Sequence, residues 1–397
     1  MTPKRRVPGN RLLHAPGPTP IPASVLAAMF EQSMDLADPR VDAIIADCEE
    51  GLLSLLGAPD SDTRVYLYSC NGHGAWEATL ANLIAPGSVA LIPGTGHFSD
   101  GWDEVARALG IETLRTPWQP GLPIDPAPIA QALLADRQHR IAAVCVIHTD
   151  TATSVTSELS AIRRAMDETG HPALLAVDVV ASLGAAPFSM QAIGVDVAMG
   201  ASQKGLMMPA GLGFVAANGR ARAVASAHDR PRHYWDWRSR DGPLNYHKFC
   251  GTPPLQMLLG LRAALALIEA EGLDEVHTRH RRLAGAVHAA VHAWRQGGAL
   301  DFYCSSESAR SVSVTTITVR PDHDAVALRT LARERFQVSI AGGLGPLTGK
   351  AFRIGHLGDQ NEALILGCLA GVEASLKTLS IPIGAGALDA AMASLGN

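Results

Sequence analysis

Lysine is nearly missing from this chain. Of its 397 residues only Lys4, Lys204, Lys248, Lys350 and Lys377 are lysine, out of a Lys+Arg total of 33. With 38 acidic residues the formal net charge is -5, and the pI is about 6.3. No basic face is implied, so nucleic acid is not an expected partner. Long apolar runs are missing too. None reaches the ~20 residues that a membrane span needs. The basic stretch Met1 to Asn10 has no apolar segment behind it and does not read as a secretory signal. The ending Ser394-Leu395-Gly396-Asn397 is not a peroxisomal address. The six cysteines show no CxxC spacing, and Cys145 and Cys368 lie inside apolar runs. They read as reduced thiols of a cytoplasmic protein, not as disulfides or zinc ligands.

What is present is ample apolar material, 47% of the residues, enough for a sizeable core. The length suggests about two to three domains at ~150 residues each. One stretch organises the rest. Val195 to Met199 reads as a buried strand. Gly200-Ala201-Ser202-Gln203-Lys204-Gly205-Leu206 follows it, and a bend through Pro209 and Gly211 leads into another apolar run. Lys204 therefore stands just past a strand end among small residues. A lysine kept there in a lysine-poor chain suits an amine that must lose its proton, as Schiff-base chemistry requires. An ordinary surface lysine in a loop fits equally well, and this stretch alone does not choose.

The arm Arg11 to Pro22 is punctuated by proline. Ser24 is placed to cap a helix running to Phe30. A second helix is expected from Val41 to Leu56. Strands at 64–70, 88–93, 141–148 and 173–178 then alternate with helices at 74–85, 101–109, 124–137 and 158–168. Such alternation predicts an α/β fold, a mostly parallel sheet covered on both faces. Residues 254–294 read as helical with a break at Gly272. Beyond Leu300 a smaller α+β unit is expected: a strand at 310–319, a helix at 324–336, two short strands and a helix at 361–379. The resulting division is an arm over 1–22, a large domain over 23–275 and a small domain over 276–397.

Ligands bind such sheets at the carboxyl ends of the strands. Asn71-Gly72-His73-Gly74 opens a helix there, a place that favours an anion but also serves as a plain turn. Another strand ends in His148-Thr149-Asp150-Thr151. Asp178 closes the buried run Leu-Leu-Ala-Val-Asp, where an acid is costly without a partner. A pyridinium nitrogen is one such partner; an ion pair or a loop cap is another.

These motifs together resemble the class V aminotransferases of fold type I, closest to the alanine–glyoxylate and serine–glyoxylate branch. The resemblance runs from Pro16-Gly17-Pro18-Thr19-Pro20, through Gly72-His73-Gly74-Ala75-Trp76-Glu77-Ala78 and Gly200 to Gly213, to Thr252-Pro253-Pro254 and Gly349 to Gly358. It implies a large domain with a seven-stranded, mostly parallel sheet and a smaller α+β C-terminal domain. It implies pyridoxal 5'-phosphate (PLP) as cofactor, held by Lys204 as a Schiff base, the internal aldimine. Asp178 matches the partner of the ring nitrogen and Thr151 the hydroxyl near the ring oxygen. Asn71, Gly72, His73 and Gln203 match positions around the phosphate. Phe98 matches the aromatic that stacks on the ring. Thr252 matches a residue reaching the phosphate of a neighbouring subunit, which implies a homodimer with shared active sites. Arg353 matches the grip on the substrate carboxylate. The implied reaction is ping-pong transfer of an amino group from serine or alanine to glyoxylate or pyruvate.

The chain departs from the pattern at Asn71, where serine is common, at Val179-Val180 after the aspartate, at Phe249, where tyrosine is frequent, and at Asp35 to Arg40. These departures bear on the amino donor, for which ureidoglycine, aspartate and pyridoxamine stand as alternatives. A PLP lyase of the desulfurase type would need a reactive cysteine on a loop, and only Cys250 and Cys304 qualify. A non-catalytic PLP-binding or scaffold protein is the remaining alternative, and intact Lys204, Asp178 and Arg353 speak against it. His288 and His292 have helical i, i+4 spacing but no accompanying acid, so no metal site is expected. The aromatic cluster Tyr234-Trp235-Asp236-Trp237 fits buried packing or an entrance wall. The glycines from Gly343 to Gly349 read as a bend that sets Arg353 in place.

Overall fold

The computed structural model describes residues 9–59 and 62–396. The first eight residues of the expected arm, and Asn397, lie outside this range. In chain order the strands are β1 (Leu12–His14), β2 (Arg64–Tyr68), β3 (Val89–Leu91), β4 (Glu112–Leu114), β5 (Ile141–Ile147), β6 (Thr149–Asp150), β7 (Val155–Thr156), β8 (Leu174–Asp178), β9 (Val197–Ala201), β10 (Gly213–Ala217), β11 (Leu300–Phe302), β12 (Val314–Val319), β13 (Val338–Gly342) and β14 (Ala351–Gly355).

Seven of them form one sheet in the order β2-β10-β9-β8-β5-β3-β4. The pairs from β9 to β4 are parallel, and β10 runs antiparallel to both its neighbours. Both faces are covered. Successive side chains of a strand point to opposite faces. Leu175 and Val177 thus join one apolar core while Leu174 and Ala176 join the other. This is why the strands carry continuous apolar runs and no alternation.

The second sheet has the order β1-β13-β14-β12-β11. Its core includes Leu283, Val287 and Val291 of the helix Leu273–Trp294 together with Ile317, Phe352 and Ile354. The arm is not merely extended: Leu12 to His14 pair in parallel with Val338 to Ile340. Gly272, at φ +85°, ends the helix Leu255–Glu271 and starts the next. An L side chain rarely takes that conformation, so the expected break falls there.

Three helix starts differ from expectation in ways that matter. Ser24 is not a cap; it lies inside Ala23–Ala28, whose N-cap is Pro22 without a side-chain bond. The helix Gly72–Leu83 begins two residues early because the Asn71 side chain accepts from the His73 N–H. The helix His97–Ala108 begins four residues early. There the Ser99 hydroxyl accepts from the N–H groups of Thr95 and Gly96, drawing Phe98 into the first turn. Among the described residues no helix is long and apolar enough to cross a membrane.

Candidate active site

A cavity of about 330 Å³ opens at the carboxyl ends of β5, β8 and β9, within the roughly 300–1,000 Å³ range of small-molecule sites. Residues from widely separated parts of the chain meet in it, among them Gly17 and Pro18, Asn71 to His73 with Trp76, Asp178, and Gln203 with Lys204. Phe98 and Thr151 line it as well. Two expected site residues do not. Thr252 is exposed and outside the cavity, and Arg353 stands behind Thr151, whose carbonyl oxygen accepts from its Nη1 at 2.8 Å.

Lys204 is held by the arm. Its Nζ donates to the Pro16 carbonyl, and its own carbonyl accepts from the Thr19 hydroxyl at 2.9 Å. Between these contacts the backbone passes so close that a Cβ on Gly17 would stand 2.5 Å from Lys204 Cδ. Gly17 also has φ +122°. Only glycine fits both conditions. Burial lowers the Lys204 pKa to about 8, and the Arg353 charge pushes the same way. The amine thus loses its proton far more readily than a solvated lysine.

Asp178 is buried where β8 ends. One oxygen accepts the Val180 N–H at 2.7 Å and the other the Trp76 indole N–H at 2.6 Å. Burial still raises its pKa to about 6. Gln203 presents a buried side-chain oxygen that has no partner among the described residues. At the opening of Gly72–Leu83, Gly72 packs with room for no more than a Cβ, which would meet the Val180 side chain at 3.2 Å.

Arg353 lies on β14. Its Nε donates to the Gly342 carbonyl at 2.7 Å. Burial lowers its pKa to about 10, still charged near neutrality. Two further groups were not singled out from sequence. Asp150, fully enclosed, accepts from the N–H groups of Phe98 at 3.0 Å and Ala152 at 2.8 Å. It ties the Phe98 helix to the Thr151 turn, and burial raises its pKa. Trp76 is the other. Its signals were its place one turn into a helix at a strand end and its presence in the motif Gly72 to Ala78.

The remaining candidates fall elsewhere. Cys304 is buried with its thiol pushed up to about 11, and Cys250 sits 3.8 Å from His233 Nε2; neither lines the cavity. Trp237 is buried and stacked on Tyr66 at 5.3 Å, so that cluster packs; Tyr234 is partly exposed.

Residues 11–346 match the family model of class-V aminotransferases. A serine–glyoxylate aminotransferase of Methylorubrum extorquens is 39% identical over 94% of this chain and 92% of its own length. An L-aspartate–glyoxylate aminotransferase of Paracoccus denitrificans is 35% identical over 93% and 91%. Among solved structures, the ureidoglycine–glyoxylate aminotransferase of Bacillus subtilis superposes with a TM-score of 0.87 at 28% identity, over 99% of this chain and all of the other. An amine with a depressed pKa, a buried acid and a helix opening, gathered in one cavity on this fold, is what such an enzyme requires, and the chain belongs to the class-V aminotransferases, PLP-dependent enzymes of fold type I.

Proposed function

We propose that this aminotransferase moves the amino group of serine, or of another small amino acid with a single carboxylate such as alanine, to glyoxylate or pyruvate. The observation that carries the choice of donor is the cation count. Among the described residues lining the cavity, Lys204 is the only lysine or arginine. Arg353 adds one guanidinium close by, and two of its nitrogens already serve carbonyl groups; Arg329 lies beside it, outside the cavity lining, with its Nε donating to the Ile340 carbonyl at 3.3 Å. That leaves one grip for one carboxylate. Aspartate, which would present two, is the second reading, supported by the Paracoccus relative.

The residues present fit PLP. The helix opening at Asn71, Gly72 and His73, with the side-chain N–H groups of Gln203 as further donors lining the cavity, suits a phosphate. Phe98 and Trp76 supply aromatic surface, Thr151 a hydroxyl, and Asp178 an acid for the ring nitrogen. When bound, PLP supplies a carbonyl that amines condense with and a ring that accepts the electron pair released at the substrate Cα. Lys204 Nζ takes the proton from that Cα and returns it on the other side of the exchange. Asp178 holds the proton on the ring nitrogen. Arg353 orients the substrate through its carboxylate, and the enclosing aromatic side chains exclude water.

The same reading makes the enzyme a cytoplasmic homodimer in which Thr252 serves the neighbouring site. Phe30 is 92% exposed, Leu244 58% and Tyr246 53%. Their segments are joined by the Asn245 side chain, which donates to the Leu36 carbonyl at 2.8 Å. A homodimer would cover these apolar side chains, which the single chain leaves in water. All six cysteines are free, as a reducing compartment requires.

The test is an absorption spectrum of the purified enzyme with PLP, repeated after adding L-serine, L-alanine, L-aspartate or pyridoxamine singly. Bleaching of the visible band by serine or alanine supports the proposal. Bleaching by aspartate or pyridoxamine alone replaces the donor, and a protein that stays colourless with added PLP removes the scheme.

A further inference from the structure

The Asp178 carboxylate is held from two sides. The bond from the Trp76 indole spans 102 residues of chain and joins the helix Gly72–Leu83 to the end of β8. An indole N–H can donate but never accept. It therefore serves an ionised carboxylate and offers nothing to the proton of a neutral acid. The indole also cannot turn. Trp76 is 2% exposed. Trp102 stacks on it at 5.6 Å and 12°, Phe98 meets it edge-on at 6.4 Å, and the His73 ring lies at 4.5 Å. The Trp102 indole nitrogen, by contrast, is buried without a partner among the described residues, so that ring contributes packing and no donor to the site.

We propose that Trp76 is a positioning residue: its indole N–H keeps Asp178 ionised and fixes which way the carboxylate faces in the cofactor cavity. The proposal rests on the reading of Asp178 as partner of the ring nitrogen. Four influences act on that carboxylate besides its burial. The Val180 N–H, the Trp76 indole and the Lys204 cation favour its charge, and Asp150 opposes it. The Lys204 contribution vanishes whenever that amine gives up its proton, as its work in catalysis demands. The Val180 bond comes from main chain beside the acid itself. Trp76 is then the one side chain whose support persists through the reaction cycle.

Trp76→Phe keeps the stacked ring and removes the donor. Trp102→Phe is the control, since it removes an indole N–H that bonds nothing. Both are titrated in the cofactor-free enzyme by infrared spectroscopy, following the carboxyl band that Asp178→Asn abolishes. Losing one hydrogen bond to a charged group should raise the Asp178 midpoint by roughly one to two pH units in Trp76→Phe. Trp102→Phe should leave it where the wild type has it. Equal midpoints in Trp76→Phe and wild type would overturn the proposal. Should Trp76→Phe fail to fold, wild-type protein with ¹⁵N-labelled tryptophan decides. One of the six indole N–H signals should lie far downfield, titrate together with Asp178 and move in Asp178→Asn. Six signals that ignore Asp178 would sink the idea. Because neither readout needs cofactor, a negative result counts against Trp76 alone and leaves the ring-nitrogen role of Asp178 to its own test.

Discussion

Arg353 donates from Nη1 to the Thr151 carbonyl across 202 residues of chain. One residue of the five-stranded sheet is thereby locked to a turn that lines the cavity of the seven-stranded sheet. The guanidinium can do this and still meet a substrate because it is a planar fork with several donors. A lysine amine has no comparable geometry.

Replacing Arg353 orphans two carbonyls and, on the proposed role, also removes the substrate grip. Arg353→Lys should lower kcat/KM for carboxylate substrates roughly 10- to 150-fold, the value of a hydrogen bond to a charged group. Most of the loss should appear in KM. Steady-state kinetics with serine and glyoxylate checks this, and an unchanged KM would remove Arg353 from the site.

Lys204→Ala should abolish turnover, because no other amine lines the cavity among the described residues. A positioned proton-transfer group contributes about 10²–10⁴-fold by itself, and the covalent anchorage is lost besides. The variant should still fold and take up PLP without a covalent bond. Borohydride treatment followed by mass measurement should fix the cofactor to wild type and not to the variant.

Asp178→Asn should retain the fold, since the amide oxygen can still accept from Trp76 or Val180. It should lose at least about 10² in kcat, because a neutral amide does not hold a proton on a ring nitrogen. A kcat equal to wild type would refute the role.

Much of this site was legible before any coordinates. Asp178 and Lys204 each follow an apolar run, and the topology rule for parallel sheets puts strand ends together. Helix openings were less legible. Gly72–Leu83 and His97–Ala108 start early because of the side-chain oxygens of Asn71 and Ser99, and such local bonds leave no periodic trace. Asp150 and Trp76 were missed for a different reason. Their partners, Phe98 and Asp178, lie 52 and 102 residues away, and no spacing rule spans that distance.

The small sheet should be acid-labile. His14 and His280 are pushed down by burial to about 4 and His288 to about 3, and His356 falls well below its ordinary value. They lie close together: the His288 and His356 rings are 6.2 Å apart, and the Gly358 N–H donates to His280. All titrate near 6.5 once unfolded. Below pH 6.5 the unfolded chain binds protons that the folded chain refuses, so stability falls as pH drops towards 4. Each histidine adds up to about 1.4 kcal/mol per pH unit. Asp178, raised to about 6, and Asp150, also raised by burial, work in the opposite direction but are two groups against four. Urea unfolding at pH 7.5, 6.5 and 5.5 should show the decline, and His288→Leu should flatten it. A curve level from 7.5 to 5.5 would contradict the assignment.

The exposed apolar surface around Phe30 gives the last prediction. A fully exposed phenylalanine has no packing to lose in an isolated chain, so Phe30→Asp should not disturb the monomer fold; surface changes typically stay within about 0.5 kcal/mol. Inside an interface the same change buries an unpaired charge and costs several times more. Phe30→Asp should therefore shift the enzyme from dimer to monomer in sedimentation while its helical circular dichroism stays the same. If Thr252 completes the neighbouring site, PLP affinity should fall with the dimer, and Thr252→Ala should lower PLP affinity with the dimer intact. A Phe30→Asp protein that remains dimeric would move the interface away from this surface. A monomer that binds PLP as tightly as wild type would mean that each chain completes its own phosphate site.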